Sequence, residues 1–484
     1  MIIPSSVTSP STFVHPLHPR PRPPHFVGPS SRSRRWLALR VGCWVLLFLW
    51  ASCLTAQREG ENLLSKDPLV RPGAEKRLPT GRVPHRPDMR VTGKAHRIAV
   101  PFALENDFVV VNVLLNGEVP LRFIVDTGAE HTVLLDKIIT DQLKIDYRRR
   151  FEIRGADVDS LLVAYLATGI SMRVGPNLLA RDRNVLVLEE NYFQFEQVTG
   201  TDIHGILGAD FLMRFVVEFD WKRRELILHA PNHFKLRRGF REAEADFIRN
   251  RPYLHLPVGV RGRSTTERRV LLDTGAGLPL LLHTFADSLE LPDSMLMDGT
   301  VDLPAQIVPT HIANGLGGRL RGSVGRTKKL LVSDVPISDV VTYFQEIDTA
   351  AIAELNNREG IIGTRLLNKF HLIVDYTRRK VYVRPYRRVL REGFSYDRSG
   401  LSVTAGGNNL RTFTVGNVLP QSPAARADIR VGDRIWRLNG VSHRFITLGS
   451  IVRRLENKAG TRVRIRVERQ GRYYDKELIL EDII

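Results

Sequence analysis

The stretch FIVDTGAEHTVLL at residues 123–135 recurs in altered form as VLLDTGAGLPLLL at residues 270–282. A second stretch, GILGADFLMRFVVEFDWKRR at residues 205–224, recurs as GIIGTRLLNKFHLIVDYTRR at residues 360–379. The two stretches follow each other in the same order in both copies. Such internal repetition predicts two structural units derived from one ancestral fold. We therefore expect two related lobes, joined by a polar, helix-capable stretch at residues 233–250.

Short apolar runs rich in Val, Ile, Leu and Phe dominate the chain from about residue 96 onward. Polar residues interrupt these runs at Glu105-Asn106-Asp107 and at Asn116-Gly117. An Asn-Gly pair between two apolar runs predicts a β-hairpin, because both residues tolerate positive φ angles. Long helical patterns are few. The sequence therefore predicts a fold that is mainly β.

The composition of the 484-residue chain excludes several classes of protein. Apolar residues make up 43% and charged residues 25%, values that are typical of globular proteins and exclude a wholly disordered chain. The net charge of +19 is scattered among acidic residues, whereas a nucleic-acid-binding protein carries a dense basic stripe. The two cysteines, Cys43 and Cys53, share one apolar segment, which excludes a disulfide framework and thiolate metal clusters downstream. We expect no nucleic-acid partner and no metal.

Both copies of the first stretch contain Asp-Thr-Gly directly after three apolar residues. One interpretation is a pair of plain turns, because Asp and Gly are common turn residues. The other is chemical: two carboxyl groups held face to face share one proton, so that one acts as a general base on water and the other as a general acid. A plain turn would not need the same three residues twice. The candidate catalytic residues are therefore Asp126 and Asp273.

These motifs resemble those of the retropepsin-like (pepsin-clan) aspartic proteases. The resemblance covers roughly residues 96–386 and rests on two sets of residues: Asp126-Thr127-Gly128-Ala129 with Ile206-Leu207-Gly208, and Asp273-Thr274-Gly275-Ala276 with Ile361-Ile362-Gly363. It implies two pseudo-symmetric β-barrel lobes, one catalytic aspartate from each, a polypeptide substrate and no cofactor. It also implies a lock between the hydroxyls of Thr127 and Thr274, with active-site support from Gly128, Ala129, Gly275 and Ala276.

The second copy departs from the family pattern in two places. GLPLL follows Ala276 where EHTVL follows Ala129, and Arg365 stands where the first copy has Asp210. Both copies also have Ala after the glycine rather than a hydroxyl residue. A hydroxyl that donates to the ionised carboxylate would lower the carboxyl pKa. We therefore expect activity to extend to weakly acidic or near-neutral pH.

Family members close a flexible β-hairpin over the substrate, and both copies contain a candidate for this flap. In the second copy the candidate glycines are Gly315, Gly317 and Gly318, and in the first copy the candidate is Gly155. A phosphate-binding loop is the alternative in the second copy, because Arg319, Arg321 and Arg326 follow its glycines. The stretch has no Walker or dinucleotide spacing and no helix signal directly after it, which favours the flap.

Residues 395–484 form a separate unit, which contains SPAARADIRVGDRIWRLNG at residues 422–440 and resembles PDZ domains. Leu448, Ile451, Val452 and Leu455 are spaced as one face of a helix. PDZ domains bind peptide C-termini by adding a strand between one strand and one helix. The resemblance places the loop that captures the carboxylate at Ser399-Gly400-Leu401. The alternative is a closed β-rich domain that packs on the protease and binds nothing.

The N-terminal region has the features of an export signal. A Pro-, Ser- and Arg-rich stretch precedes residues 41–56, a run of 16 residues without charge that ends at Ala56. A basic region followed by a compact apolar run and a small residue indicates a secretory signal peptide, with a retained anchor as the alternative. Cys53 lies in a stretch that loosely resembles a lipidation site. We expect export, with membrane contact only through this N-terminal segment.

The predicted domain organisation follows from these patterns. In order, it comprises a basic region with signal peptide or anchor (1–56), a flexible linker (57–94), the first lobe (95–232), an inter-lobe connection (233–250), the second lobe (251–390) and the PDZ-like domain (395–484).

Three hypotheses for the function remain open at this point. The first is an exported aspartic endopeptidase that uses Asp126 and Asp273, with a PDZ-like domain for substrate or partner recognition. The second is a catalytically inactive scaffold that only binds extended peptides. The third keeps the enzyme but pairs Asp126 with the Asp126 of another chain. Buried carboxyl pairs are costly, and a scaffold has no need of them, which favours the enzyme.

Overall fold

The computed structural model describes residues 88–91, 96–154, 161–258, 266–285, 308–315, 318–347 and 357–484. The signal segment predicted within residues 1–56 lies outside these ranges, as do two of the candidate flap glycines, Gly155 and Gly317. Within the described ranges, no helix has both the length and the apolar composition needed to cross a bilayer.

The first half of the described chain supplies one lobe and half of a shared sheet. Its strands are β1 (Asp88–Val91), β2 (Arg97–Pro101), β3 (Ala103–Glu105), β4 (Phe108–Leu115), β5 (Val119–Val125), β6 (Val133–Leu134), β7 (Tyr147–Arg154), β8 (Leu161–Val174), β9 (Leu178–Leu188), β10 (Gly205–Leu207), β11 (Val216–Asp220) and β12 (Glu225–His229). Six of them close into a barrel in the order β4, β5, β10, β6, β9 and β8, with β8 paired back to β4.

The alternation of apolar residues along β4 explains how this lobe packs on two sides. Val109, Val111 and Val113 face the main core, whereas Val110 faces a second apolar cluster that includes Ile124. Successive side chains of a strand point to opposite faces, so a continuous apolar run predicts a strand that is buried on both.

The second lobe repeats the arrangement of the first. Its strands are β13 (Arg241–Ala243), β14 (Ala245–Ile248), β15 (Arg251–Val258), β16 (Thr266–Asp273), β17 (Leu280–Phe285), β18 (Val308–Gly315), β19 (Gly318–Val332), β20 (Val335–Ile347), β21 (Gly360–Gly363), β22 (Phe370–Asp375) and β23 (Lys380–Pro385). Strand β21 runs parallel to β16 just as β10 runs parallel to β5, and β20 runs parallel to β17 just as β9 runs parallel to β6. The two lobes are therefore pseudo-symmetric, as the sequence repeat predicts.

A six-stranded sheet joins the lobes in the order β13, β23, β22, β11, β12 and β2. Its central pair, β11 and β22, comes from the same part of each repeat and is antiparallel, as a two-fold axis between the lobes requires. Buried Glu218 on β11 bonds to the Nε2 atoms of His229 at 2.8 Å and His371 at 2.6 Å. Burial alone would raise the pKa of Glu218, but these hydrogen bonds outweigh it and lower that pKa.

The C-terminal domain has its own sheet and its own apolar core. Its strands are β24 (Leu401–Gly406), β25 (Thr412–Val418), β26 (Arg434–Leu438), β27 (Val441–Ser442), β28 (Arg462–Arg469) and β29 (Arg472–Ile479). The described helices of the whole chain are α1 (Lys137–Gln142), α2 (Phe195–Thr199), α3 (Ala209–Leu212), α4 (Thr364–Leu367), α5 (Arg387–Leu390), α6 (Pro423–Arg426) and α7 (Leu448–Leu455). Helix α7 buries Leu448, Ile451 and Leu455, which confirms the helical face predicted there.

Two predictions for the connecting segments are wrong in part. Residues 88–91, inside the predicted linker, form β1, which pairs antiparallel with β9. The stretch at residues 233–250 contains strands β13 and β14 rather than a helix. Its polar residues suit strands at sheet edges, because β13 ends the shared sheet and β14 ends the sheet of the second lobe. Tertiary pairing thus overrides the local helical preference.

Candidate active site

Two equivalent strand ends position the candidate catalytic residues. Asp126 directly follows β5, and Asp273 is the last residue of β16. The parallel neighbours β10 and β21 fix these strand ends, and the backbone N–H of Asp126 donates to the Leu207 carbonyl at 3.0 Å. The last three apolar residues before each aspartate, 123–125 and 270–272, are buried on both faces of their strands, so the two loops that follow them project from rigid supports.

Thr127 and Thr274 join the two loops through four hydrogen bonds. The Thr127 hydroxyl donates to the Leu272 carbonyl, and the Thr274 hydroxyl donates to the Val125 carbonyl, both at 2.7 Å. Each hydroxyl also accepts the backbone N–H of the other threonine at 3.1 Å. Both side chains are fully buried. The structure therefore brings together the two residues predicted to form a lock.

Gly128 and Gly275 allow the carboxyl groups to approach each other. A Cβ atom on Gly128 would lie 2.5 Å from Cγ of Asp273, and a Cβ atom on Gly275 would overlap the Asp126 carboxyl. The N–H groups of Gly128 and Ala129 donate to Oδ1 of Asp126 at 2.7 and 2.9 Å, and the N–H of Gly275 donates to Oδ1 of Asp273 at 2.8 Å. Glycine is thus required by space at both positions.

The carboxyl groups of Asp126 and Asp273 lie close together, because a Cβ atom on Gly128 would be 2.6 Å from Oδ1 of Asp273 and 2.8 Å from Oδ1 of Asp126. Asp273 is buried, whereas Asp126 is partly exposed. Burial raises the pKa of both groups, and the charge of Asp273 raises that of Asp126 well above its usual value. The Arg358 guanidinium opposes the rise in the pKa of Asp273. This arrangement favours one proton shared between the two carboxyl groups.

The two lobes differ at three equivalent buried positions. The strand registers match Leu135, Leu188 and Ile203 of the first lobe to His283, Gln345 and Arg358 of the second. The first three belong to an apolar cluster, whereas the second three are polar and nearly inaccessible to solvent. Burial and the charge of Arg358 lower the pKa of His283 well below its usual value, which keeps the imidazole neutral.

The sequence analysis missed these polar residues. A signal was present, because Arg358 stands two residues before Gly360 while Ile203 stands two residues before Gly205. The position of His283 does not follow from a simple alignment of the two repeats. One extra residue precedes β17, so Leu281 and not Leu280 takes the place of Val133.

The predicted flap hairpins correspond to two pairs of antiparallel strands. In the second lobe β18 pairs with β19, and Gly315 lies opposite Gly318 at the end of the ladder. In the first lobe β7 pairs with β8, and Arg154 lies opposite Leu161. Arg326, considered for a phosphate loop, instead forms an ion pair with Asp339 at 3.3 Å. A role of these hairpins in covering substrate remains a prediction.

The loop predicted to capture a peptide carboxylate is already bound to a carboxylate of the same chain. The N–H groups of Ser399, Gly400 and Leu401 donate to the Asp397 side chain at 3.1, 2.6 and 3.1 Å. The Ser399 hydroxyl donates to it at 2.5 Å. Burial raises the pKa of Asp397 to about 6 against the lowering effect of these bonds. No pattern in the sequence predicted this turn.

The equivalent positions Asp210 and Arg365 have different partners. Asp210 accepts the Thr132 hydroxyl at 2.7 Å and stays within the first lobe. Arg365 donates to Asp107 of the first lobe and to Glu456 of the C-terminal domain, both at 2.5 Å. The arginine that replaces aspartate in the second copy therefore forms ion pairs between domains.

Two ranges of the chain match known families. Residues 111–211 match the family described as aspartyl protease, and residues 414–469 match the family described as PDZ domain. Both resemblances found in the sequence are confirmed by these matches. Among the described residues, no group of three or more His, Cys, Asp or Glu side chains is placed to hold a metal ion.

Similar solved structures include basic 7S globulin from soybean, which aligns with 61% of this chain and 95% of its own at 11% identity and a TM-score of 0.35. A photosystem II D1 C-terminal processing protease aligns with 18% of this chain and 24% of its own, at 22% identity and a TM-score of 0.17. Among curated protein sequences, none matches this chain.

Proposed function

We propose that this chain is an exported aspartic endopeptidase in which Asp126 and Asp273 activate a water molecule. The observation that carries the proposal is the close approach of two carboxyl groups, one from each lobe, around Gly128 and Gly275. Two closely spaced carboxyl groups with raised pKa values are costly to a fold that has no use for them, and such groups cluster at active sites. The pairing of both aspartates within one chain favours a monomeric site over one formed by two chains.

The geometry supports a general acid–base mechanism. The Asp273 carboxylate takes a proton from water as the water oxygen attacks the peptide carbonyl carbon, and Asp126 gives its proton to the carbonyl oxygen. The tetrahedral diol then collapses. One hydroxyl proton returns to Asp126, the nitrogen takes the proton held by Asp273, and the C–N bond breaks. Both carboxyl groups regain their starting protonation states.

The test is peptide cleavage by the full chain and by Asp126→Asn and Asp273→Asn variants, with a quenched fluorescent peptide library as substrate. Each substitution should reduce turnover to background, because either one removes the shared-proton pair. Asp136→Asn is the matched control. Asp136 caps α1 in the same lobe by accepting the Ile138 N–H, and Asn caps helices equally well.

Two results would contradict the proposal. Retained turnover in either active-site variant would exclude a shared catalytic pair. Peptide binding by the wild-type chain with no turnover from about pH 3 to about pH 8 would instead identify a scaffold.

Export is the second part of the proposal, and the uncharged run at residues 41–56 supports it. A signal peptidase would release a chain that begins after Ala56. Mass spectrometry of the protein from fractionated cells tests this, with Cys53 lipidation visible as an added mass. An intact N-terminus on protein recovered from the cytoplasm would contradict export.

A further inference from the structure

The peptide-binding groove of a PDZ domain lies between one strand and one helix. In this chain the two elements are β24, which follows the Ser399–Leu401 loop, and α7, which packs beside it. Within the described residues, β24 pairs only with β25, so its other edge faces the groove.

A segment of the first lobe fills the groove. Helix α2 lies against both β24 and α7. Gly200, which ends α2 at a φ of +71°, lies so close to the first residue of α7 that a Cβ atom on it would be 2.8 Å from Cβ of Leu448. Leu448 is only 2% exposed as a result of this contact and of the domain's own core. A bound peptide would occupy the same space.

In the loop beside the groove, the three N–H groups predicted to bind a terminal carboxylate already donate to Asp397, which stands two residues before Ser399. The groove is therefore occupied by a distant part of the chain, and the N–H groups of the loop are bonded within their own turn. An incoming peptide C-terminus would have to displace both the segment in the groove and the Asp397 side chain.

The segment in the groove connects to the candidate active site through one turn. The Asn106 side chain donates to the Val198 carbonyl at 2.7 Å. The rings of Phe108 and Phe195 pack edge to face, with their centroids 6.1 Å apart. Phe108 lies directly against Gly277, where a Cβ atom would be 3.1 Å from its ring. Gly277 is four residues after Asp273.

Arg365 of the second lobe also links the β3–β4 turn to the PDZ domain. Its guanidinium donates to Asp107 in the turn and to Glu456 directly after α7. A further link holds the end of the chain, where the Arg326 Nε atom donates to the Ile484 carbonyl at 3.2 Å. The β3–β4 turn is therefore held between the PDZ domain and the second Asp-Thr-Gly loop.

We infer that the PDZ domain is an internal clamp whose groove holds α2 and Gly200 of the first lobe, and which presses the β3–β4 turn against the loop after Asp273. The inference rests on the proposed peptidase function for its effect on activity. Opening the clamp lowers turnover, because the turn then loses two of its supports. Coupling between sites of this kind typically changes a rate or affinity about fivefold or more.

The experiment opens the clamp from both sides in the full chain. Gly200→Ala adds the methyl group that meets Leu448, and Gly117→Ala is its control, because Gly117 also has a positive φ but faces open space. Glu456→Gln removes the carboxylate that binds Arg365. Its control is Glu468→Gln, whose partner Arg434 lies within the PDZ domain. The readouts are amide hydrogen exchange and kcat/KM.

Both clamp variants should speed exchange at residues 105–108 and 195–200 and lower kcat/KM about fivefold or more, while both controls match the wild type. Faster exchange with unchanged kcat/KM would overturn the clamp, and so would unchanged exchange in both clamp variants. If the wild-type chain has no peptidase activity, the proposed function fails. Exchange at the two segments then still decides whether the clamp exists.

Discussion

Thr127 and Thr274 hold each other's loops, since the backbone N–H of each donates to the hydroxyl of the other at 3.1 Å. Each hydroxyl in turn donates to a carbonyl of the opposite lobe at 2.7 Å. All of these groups are buried, so none of them can exchange a lost partner for water. The separation of the two carboxyl groups is thus set by hydrogen bonds between the lobes rather than by either lobe alone.

Removing one of these hydroxyls should weaken the protein and its activity together. Thr127→Val leaves a buried N–H and a buried carbonyl without a partner, and we expect unfolding free energy to fall by about 1–3 kcal/mol. We also expect kcat to fall, because the carboxyl groups lose their fixed separation. Thr127→Ser keeps the hydroxyl and should keep both properties.

The control for this prediction is Thr327→Val. Thr327 shares a buried 2.7 Å hydroxyl contact with Thr342 within the second lobe. It should lower stability by a similar amount with little change in kcat. Urea unfolding and steady-state kinetics provide the two measurements, and an equal loss of kcat in both variants would show that the effect is one of stability alone.

A methyl group at Gly275 should separate the carboxyl groups. Its Cβ atom would overlap the Asp126 carboxyl, and displacement of reacting groups by about 1 Å costs about 100-fold in rate. Gly275→Ala should therefore be folded and nearly inactive. Gly416→Ala is the control, because its Cβ atom would meet its nearest neighbour at an ordinary 3.7 Å. Wild-type kcat in Gly275→Ala would disprove the close approach.

On the alkaline side of the pH–rate profile, activity should fall where the Asp126–Asp273 pair loses its shared proton. Burial and the charge of Asp273 raise the pKa of Asp126, so this proton is retained to higher pH than an isolated aspartate allows. Activity should fall as pH rises through that raised pKa. Arg358 favours the ionised form of Asp273, so Arg358→Gln should move the alkaline limb to higher pH.

Arg358→Lys is the matched variant, because it keeps the charge and most of the length. It should leave the alkaline limb near its wild-type position. A profile that moves equally in both variants would mean that the guanidinium acts through packing rather than through its charge.

The stability of the PDZ domain should depend on the ionisation of Asp397. Burial raises the pKa of Asp397 to about 6 in the folded chain, so the folded state binds the proton more tightly than the unfolded state does. The domain therefore loses stability as pH rises from about 4 through about 6, by about 2–3 kcal/mol. Asp397→Asn removes this dependence and gains stability relative to the wild type over that range.

Hydrogen exchange of the β24 and β25 amides against pH measures the effect. Asp475→Asn is a control of opposite sign, because the hydrogen bond from Arg466 lowers the pKa of Asp475. This control should lose stability relative to the wild type as pH rises to about 4, and the difference should stay constant at higher pH. A constant difference between Asp397→Asn and the wild type from about pH 4 to about pH 7 would contradict the prediction.

The sequence by itself determined the repeat, the β class and the two aspartates. These features are local or repeated: apolar alternation decides which faces of a strand are buried, and Asp-Thr-Gly is short enough to recognise twice. The hairpin at Asn116-Gly117 follows from the same kind of local rule, and both residues do have positive φ angles. Helix α7 was likewise readable from the spacing of Leu448, Ile451 and Leu455.

Only the tertiary structure decided which distant residues meet. His283 and Arg358 form a buried polar wall because strand registers, including one extra residue before β17, bring them to positions that are apolar in the first lobe. Gly200 lies against Leu448 of α7 because two domains pack there, and Arg365 joins residues that are far apart along the chain. Such contacts depend on the packing of whole sheets, and no short pattern of residues encodes that packing.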